Sequence, residues 1–133
     1  MDRAKLKRII IILALAVVFF IILSIIVSFH AIYTGVKRIS VQAKDEFGQN
    51  CVQSLILYIK SGNHTEKDKT HAVWALGQLA DKNVLPFLEN LQQEYACGSD
   101  QAKSQICYEI YKALKWCTHG NVTNWMYKNR EKW

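Results

Sequence analysis

The sequence predicts an all-α protein, in which one N-terminal transmembrane helix is followed by a small domain of about four antiparallel helices. Three observations support this fold class. Residues 9–29 form an uncharged apolar stretch, apolar residues then recur at spacings of three and four, and no stretch alternates long enough to indicate a sheet. The single proline, Pro86, and the scattered glycines also suit helices better than a β-sandwich.

The apolar stretch is long enough to cross a bilayer. It runs from Ile9 to Phe29 without charge, proline or glycine, which gives about 31 Å of helix for a hydrocarbon core of about 30 Å. A cleaved signal peptide fits less well, because its apolar region is usually about 7–15 residues long and is followed by small residues. Here Phe29 and His30 stand at that position. We therefore expect an uncleaved anchor that contacts the lipid bilayer through residues 9–29.

Charge and cysteine content favour one orientation of this anchor. Four basic residues precede it within residues 1–8, whereas three follow closely behind it, which is a slight positive-inside bias. The four cysteines all lie in the C-terminal domain, and an even number suits an oxidising compartment. We expect a single-pass membrane protein with residues 1–8 as a cytoplasmic tail and a periplasmic or extracellular C-terminal domain.

Three segments are predicted after the anchor. Residues 30–44 form either a helical stalk that continues out of the bilayer or a flexible linker, and both interpretations stay open. Residues 45–120 form the helical domain. Residues 121–133 form an aromatic-basic tail that lies on a membrane, docks a partner or frays as a free terminus.

Four apolar stripes define the helices of residues 45–120. The second helix begins after Thr65, a predicted N-cap, and Pro86 falls in the first turn of the third helix, where a missing N–H costs little. A turn at residues 97–100 precedes the fourth helix, which ends near Gly120. In chain order the stripes are Phe47, Cys51, Leu55, Tyr58 and Ile59; Ala72, Ala75, Leu76 and Leu79; Val84, Leu88, Leu91 and Tyr95; and Ala102, Ile106, Ile110, Leu114 and Cys117.

The segment 72–91 carries a pattern in which each residue type has a physical reason. Ala75 and Gly77 allow neighbouring helices to approach closely, Asp81 caps the next helix or holds the turn, and Pro86 suits a first turn. Together with the leucines around them, these residues resemble a HEAT repeat, specifically the HEAT-like repeat of phycobilisome lyases. The resemblance implies a protein-binding scaffold, and it assigns no functional residues because these positions build the fold.

The cysteines permit one pairing that fits the predicted helices. Cys107 and Cys117 would lie about 15 Å apart along one helix, and Cys97 would lie near its opposite end from Cys117, so neither pairing reaches the ~7 Å limit between Cα atoms. Cys51–Cys117 and Cys97–Cys107 remain, with plain buried thiols as the alternative. The wide spacing lacks the tight ligand pairs of zinc sites, so we expect no metal.

The remaining residues indicate binding rather than catalysis. No phosphate-binding glycine loop or histidine cluster is present, and the mild positive charge of the domain argues against nucleic acid. Aromatic residues are the interface candidates, either as exposed anchors or as covers of the core edge. They are Trp74, Trp116, Trp125, Tyr127 and Trp133.

These observations favour a non-enzymatic membrane-anchored protein-binding module without cofactor, acting as an accessory or structural subunit of a membrane protein complex. Two alternatives belong to other classes. The HEAT-like resemblance allows a lyase-type enzyme or chaperone that acts on a protein-bound cofactor. The aromatic-basic tail allows a membrane-surface binding module.

Overall fold

The computed structural model describes residues 2–98 and 104–133, and all regular structure in those ranges is helical. The predicted all-α class is thereby confirmed. The chain divides into two compact units at Ile32 and Tyr33. In chain order the elements are α1 (Arg3–Phe47), α2 (Cys51–Lys60), α3 (Glu66–Leu79), a 3₁₀ helix (Lys82–Val84), α4 (Leu85–Glu94), α5 (Gln105–His119) and two 3₁₀ helices (Asn124–Tyr127 and Arg130–Lys132).

The first unit is the N-terminal part of α1. By length and composition α1 is a candidate membrane span, and its most apolar window is fully exposed. The Ser28 hydroxyl donates a hydrogen bond of 2.8 Å to the carbonyl oxygen of Ser24. This bond satisfies the hydroxyl within the helix, as a serine in an apolar environment requires.

The last part of α1 belongs to the core of the second unit. Val36, Ile39, Ser40 and Ala43 are buried, and their spacing puts them on one helix face. They fall within residues 30–44, the predicted stalk or linker. Since α1 runs to Phe47, these residues are helical and no flexible linker is found there. The second unit therefore begins at Tyr33 and not at residue 45.

Local capping explains where the shorter helices begin. The Asn50 side chain accepts the N–H of Gln53 at the start of α2. Thr65 caps α3 as predicted, accepting the N–H of Asp68 at 3.2 Å, and Ser104 caps α5. Each side chain satisfies one of the N–H groups that a helix start leaves free. The predicted turn residues Ser99 and Asp100 and the stripe residue Ala102 lie outside the described ranges.

Helix α3 is the centre of the second unit. It packs chiefly on α5 and also on α2, while α4 packs on α5. Gly77 makes the close approach possible, because a Cβ at this position would lie 2.8 Å from Cα of Ala113. The role predicted for this small residue is found. The main neighbour of α3 is α5, however, and not α4, the helix with which a HEAT pair would be formed.

The C-terminal segment 121–133 is packed against the rest of the unit. Arg130 forms an ion pair with Asp81, with 2.8 Å between Nη2 and Oδ2. The Glu131 carboxylate accepts the N–H of Cys51 at 3.1 Å, and Lys44 donates to the backbone oxygens of Glu131 and Trp133. Residues 121–133 are therefore packed and do not form a frayed terminus.

Candidate interaction surface

Two of the five predicted interface aromatics are structural. Tyr127 is only 1% exposed and stacks on Tyr33 with nearly parallel rings, whose centroids lie 6.2 Å apart. Trp133 meets both tyrosines edge-on. These three rings join the C-terminal segment to α1, and their burial removes Tyr127 from the set of surface anchors.

Trp74 and Trp116 cover the edges of the core. Trp74 is half-buried and packs against the core cluster, and a Cβ at Gly35 would lie 3.1 Å from its ring. Trp116 is also half-buried, and its ring lies next to Gly77. Both side chains therefore cover the edge of the core and are not exposed anchors.

Trp125 is the one predicted aromatic that the structure leaves open to solvent. It is 62% exposed within the 3₁₀ helix Asn124–Tyr127. Val122, at 80% exposure, lies three residues before it. The neighbouring Thr123 is instead buried and donates a 2.7 Å hydrogen bond to the Gln78 side chain. This bond fixes the segment that carries Val122 and Trp125.

Sequence reasoning missed two further exposed aromatics, Tyr108 and Tyr111. They are 49% and 38% exposed, and their spacing puts them on one face of α5. The opposite face of α5 is buried, with Ile106, Ile110 and Cys117 in the core. The apolar stripe of the fourth predicted helix could therefore have indicated the outward direction of both tyrosines.

Lys112 contacts two of the aromatic rings on this side of α5. Its Nζ lies 4.9 Å from the ring centroids of both Tyr108 and Trp116, and 3.2 Å from the Glu109 carboxylate. Cation–π contacts of this kind orient a lysine over aromatic rings. The outer face of α5 is thus an ordered aromatic and charged surface.

Exposed apolar residues and positive charge share one part of the chain. In the described part of the second unit, Tyr108, Tyr111, Val122 and Trp125 are the exposed large hydrophobic residues, and all follow residue 103. Residues 33–103 contain eight basic and eight acidic residues, whereas residues 104–133 contain five basic and two acidic ones. The excess positive charge of the second unit therefore lies in its last thirty residues.

One of the two predicted disulfides is present in the structure. Cys97 and Cys107 form a disulfide, whereas Cys51 and Cys117 are buried free thiols, so the predicted Cys51–Cys117 bond is absent. The two thiols face different elements. The Cys51 thiol is next to Ser40 of α1, and the Cys117 thiol points to the Leu76 carbonyl oxygen of α3 at 3.9 Å. The sequence argument assumed a simple up-down order of four helices, without α1 in the core.

Burial also makes both thiols poor nucleophiles. It raises the pKa of Cys117 to about 11, with a further small increase from Asp81. Burial likewise raises the pKa of Cys51, although the neighbouring Ser40 opposes the shift. Since the thiolate is the reactive form, neither cysteine has the environment of a catalytic nucleophile.

A polar cleft of about 460 Å³ lies between the start of α2, the α3–α4 turn and the C-terminal segment. Its charged groups are engaged within the unit: Arg130 pairs with Asp81 and lies 3.6 Å from Glu131, and the Glu131 carboxylate also accepts the N–H of Cys51. Across the described ranges, no three His, Cys, Asp or Glu side chains group closely enough to hold a metal ion. No protein family, curated protein or solved structure matches the chain significantly.

Proposed function

We propose that this protein is a single-pass, membrane-anchored, non-enzymatic helical module that binds another protein as an accessory subunit of a membrane complex. The observation that carries this proposal is the ordered aromatic face of α5, with Tyr108 and Tyr111 exposed beside Lys112. Tyrosine and tryptophan are enriched where protein interfaces are strongest, because they offer large contact areas at low entropic cost.

The packing of α5 supports this role. Its inner face is held by α3 and by α4, and the Cys97–Cys107 disulfide fixes its first turn to the segment after α4. A surface on a rigidly held helix loses little conformational freedom when a partner binds. Because Gly77 packs on α5 and not on α4, we retain a HEAT-like pairing of α3 with α4 only as a proposal, based on the Asp81 cap of the turn between them and on Pro86 in the first turn of α4.

The proposed orientation has the N-terminus in the cytoplasm and the second unit in the periplasm or extracellular space. The disulfide supports an oxidising compartment for the second unit, and the basic residues before the apolar stretch support a cytoplasmic N-terminus. Protease added to spheroplasts, from which any outer membrane and wall have been removed, should digest the second unit and leave the tagged N-terminal tail protected. Protection of the second unit would contradict this orientation.

The partner proposal is tested by substitutions on α5. Full-length tagged protein is purified in mild detergent, and the co-purifying proteins are compared for the wild type and the Tyr108→Ala/Tyr111→Ala variant. We expect the double variant to lose a specific partner by at least tenfold, which corresponds to about 1.4 kcal/mol. Asn90→Ala/Gln93→Ala, an equally spaced exposed pair on α4, is the matched control and should retain the partner. A chain that purifies alone at every concentration would contradict the proposal.

A further inference from the structure

The exposed pair Val122 and Trp125 lies in a rigidly held segment. Trp125 is flanked by buried neighbours, with Thr123 bonded to Gln78 and Tyr127 stacked on Tyr33. Val122 is 80% exposed and Trp125 is 62% exposed, although the residues beside them are held in place. Their exposure therefore belongs to the folded state and does not reflect a loose terminus.

Chain connectivity limits how far this pair can lie from the end of the apolar stretch. Tyr33 follows Phe29 by four residues, so at most about 14 Å of chain separates them. Tyr33 stacks on Tyr127, and Trp125 precedes Tyr127 by two residues, or at most about 7 Å of chain. The ring centroids of Tyr33 and Tyr127 lie 6.2 Å apart. If the apolar stretch crosses a bilayer, chain connectivity therefore keeps Trp125 within reach of the headgroup region.

The charges around the pair suit an anionic surface. Lys128 and Lys132 are exposed, whereas Arg130 is engaged with Asp81 and Glu131 accepts the N–H of Cys51. Tryptophan is enriched at the bilayer interface because its ring is apolar and its N–H is polar, and lysines beside it contact anionic headgroups.

We propose that Val122 and Trp125 insert into the interfacial layer of the bilayer that the apolar stretch spans, with Lys128 and Lys132 against anionic lipid headgroups. This contact depends on the membrane span and does not depend on the protein partner proposed for α5. The lipid surface is favoured over a protein partner because the chain keeps this surface within reach whenever the span is inserted, which raises its effective concentration.

The test uses the full chain in nanodiscs that contain no other protein. Tryptophan emission is measured with ordinary lipids and with lipids brominated on the upper acyl chain, for the wild type and for Trp125→Phe. The difference between the two proteins isolates Trp125. We expect bromination to quench this difference by more than half, and more strongly with 30% anionic lipid than with zwitterionic lipid alone. Trp116→Phe is the matched control, whose difference should be quenched much less.

A charge-reversal variant tests the proposed contact of the two lysines with anionic headgroups. Lys128→Glu/Lys132→Glu should remove the dependence on anionic lipid while circular dichroism stays helical. An unquenched Trp125 difference in both lipid mixtures would overturn the proposal. Protection of residues 122–128 from hydrogen exchange only when a second protein is added would overturn it as well, in favour of protein docking. Either result would leave the α5 proposal to its own test.

Discussion

The distance between α3 and α5 depends on the absence of a side chain at Gly77. A Cβ there would lie 2.8 Å from Cα and 3.0 Å from Cβ of Ala113. Neither atom can move unless the two helices separate. We expect Gly77→Ala to lower the free energy of unfolding by about 1–3 kcal/mol, measured by thermal unfolding in mild detergent. Gly62→Ala is the control, because Gly62 has no atom within 4 Å of its added Cβ, and equal stability of both variants would contradict the packing.

The two buried thiols predict a pH effect with a definite sign. The ordinary thiol pKa is 9.0, and burial raises that of Cys117 to about 11 and that of Cys51 in the same direction. Above pH 9 the unfolded chain therefore releases these protons while the folded chain retains them. Stability should be full below pH 9 and should fall as the pH rises toward 11.

Thiol labelling checks the same two residues directly. Native, unreduced protein should label at neither Cys51 nor Cys117, since both are free but buried. Denatured protein should label at these two positions, and reduction should expose Cys97 and Cys107 as well. In Cys117→Ala the loss of stability between pH 9 and 11 should be smaller than in the wild type, and an unchanged pH profile would refute the assignment.

At the scale of the elements, the N-cap of α3 also hydrogen-bonds to a carboxylate in the first turn of the helix. The Thr65 hydroxyl donates to the Asp68 carboxylate at 2.6 Å and accepts the N–H of Asp68. The first of these bonds is the main reason that the pKa of Asp68 lies below its ordinary value of 3.8. The ionised form is favoured in the folded state, so its contribution is present above pH 3.8 and is lost as the pH falls below that value.

Thr65→Ala should remove both bonds. We expect a loss of about 1 kcal/mol from the missing cap at neutral pH, and a rise in the pKa of Asp68 toward its ordinary value, measured by NMR titration of the carboxyl group. Thr65→Ser keeps the hydroxyl and should behave like the wild type. An unchanged Asp68 titration in Thr65→Ala would show that another group sets the shift.

Local chemistry explains why some elements could be predicted. The cap at Thr65 and the position of Pro86 in the first turn of α4 depend on residues within one turn, so the sequence indicates them correctly. The role of residues 33–47 depends instead on what packs against Val36 and Ala43. Their burial arises from helices that are distant in sequence, and no local pattern distinguished a packed helix from a stalk.

At the scale of the whole molecule, residue type alone was a weak guide to the interaction surface. Of the five predicted aromatics, Trp125 is exposed, whereas Tyr127 is buried and stacked on Tyr33. Exposure is a tertiary property, because it depends on how the C-terminal segment folds back over α1. Tyr108 and Tyr111 could have been found from the α5 stripe, since they lie opposite its buried residues.

The disulfide provides a prediction for the whole second unit. Cys97 and Cys107 are ten residues apart, and the chain-entropy model gives about 2–3 kcal/mol for a loop of this size. For a domain of about a hundred residues this corresponds to a melting temperature lower by roughly 10–20 °C after reduction. Thermal unfolding in mild detergent with and without reductant measures the decrease.

The free thiols supply the control for that experiment. Cys51→Ser/Cys117→Ser has its own stability, but reduction should lower its melting temperature by the same amount as in the wild type, because neither residue takes part in the bond. Cys97→Ser/Cys107→Ser should instead be insensitive to reductant. If reduction affected that variant and spared the Cys51/Cys117 variant, the stabilising bond would join Cys51 to Cys117. That result would also require both thiols to leave their present neighbours, Ser40 for Cys51 and the Leu76 carbonyl oxygen for Cys117.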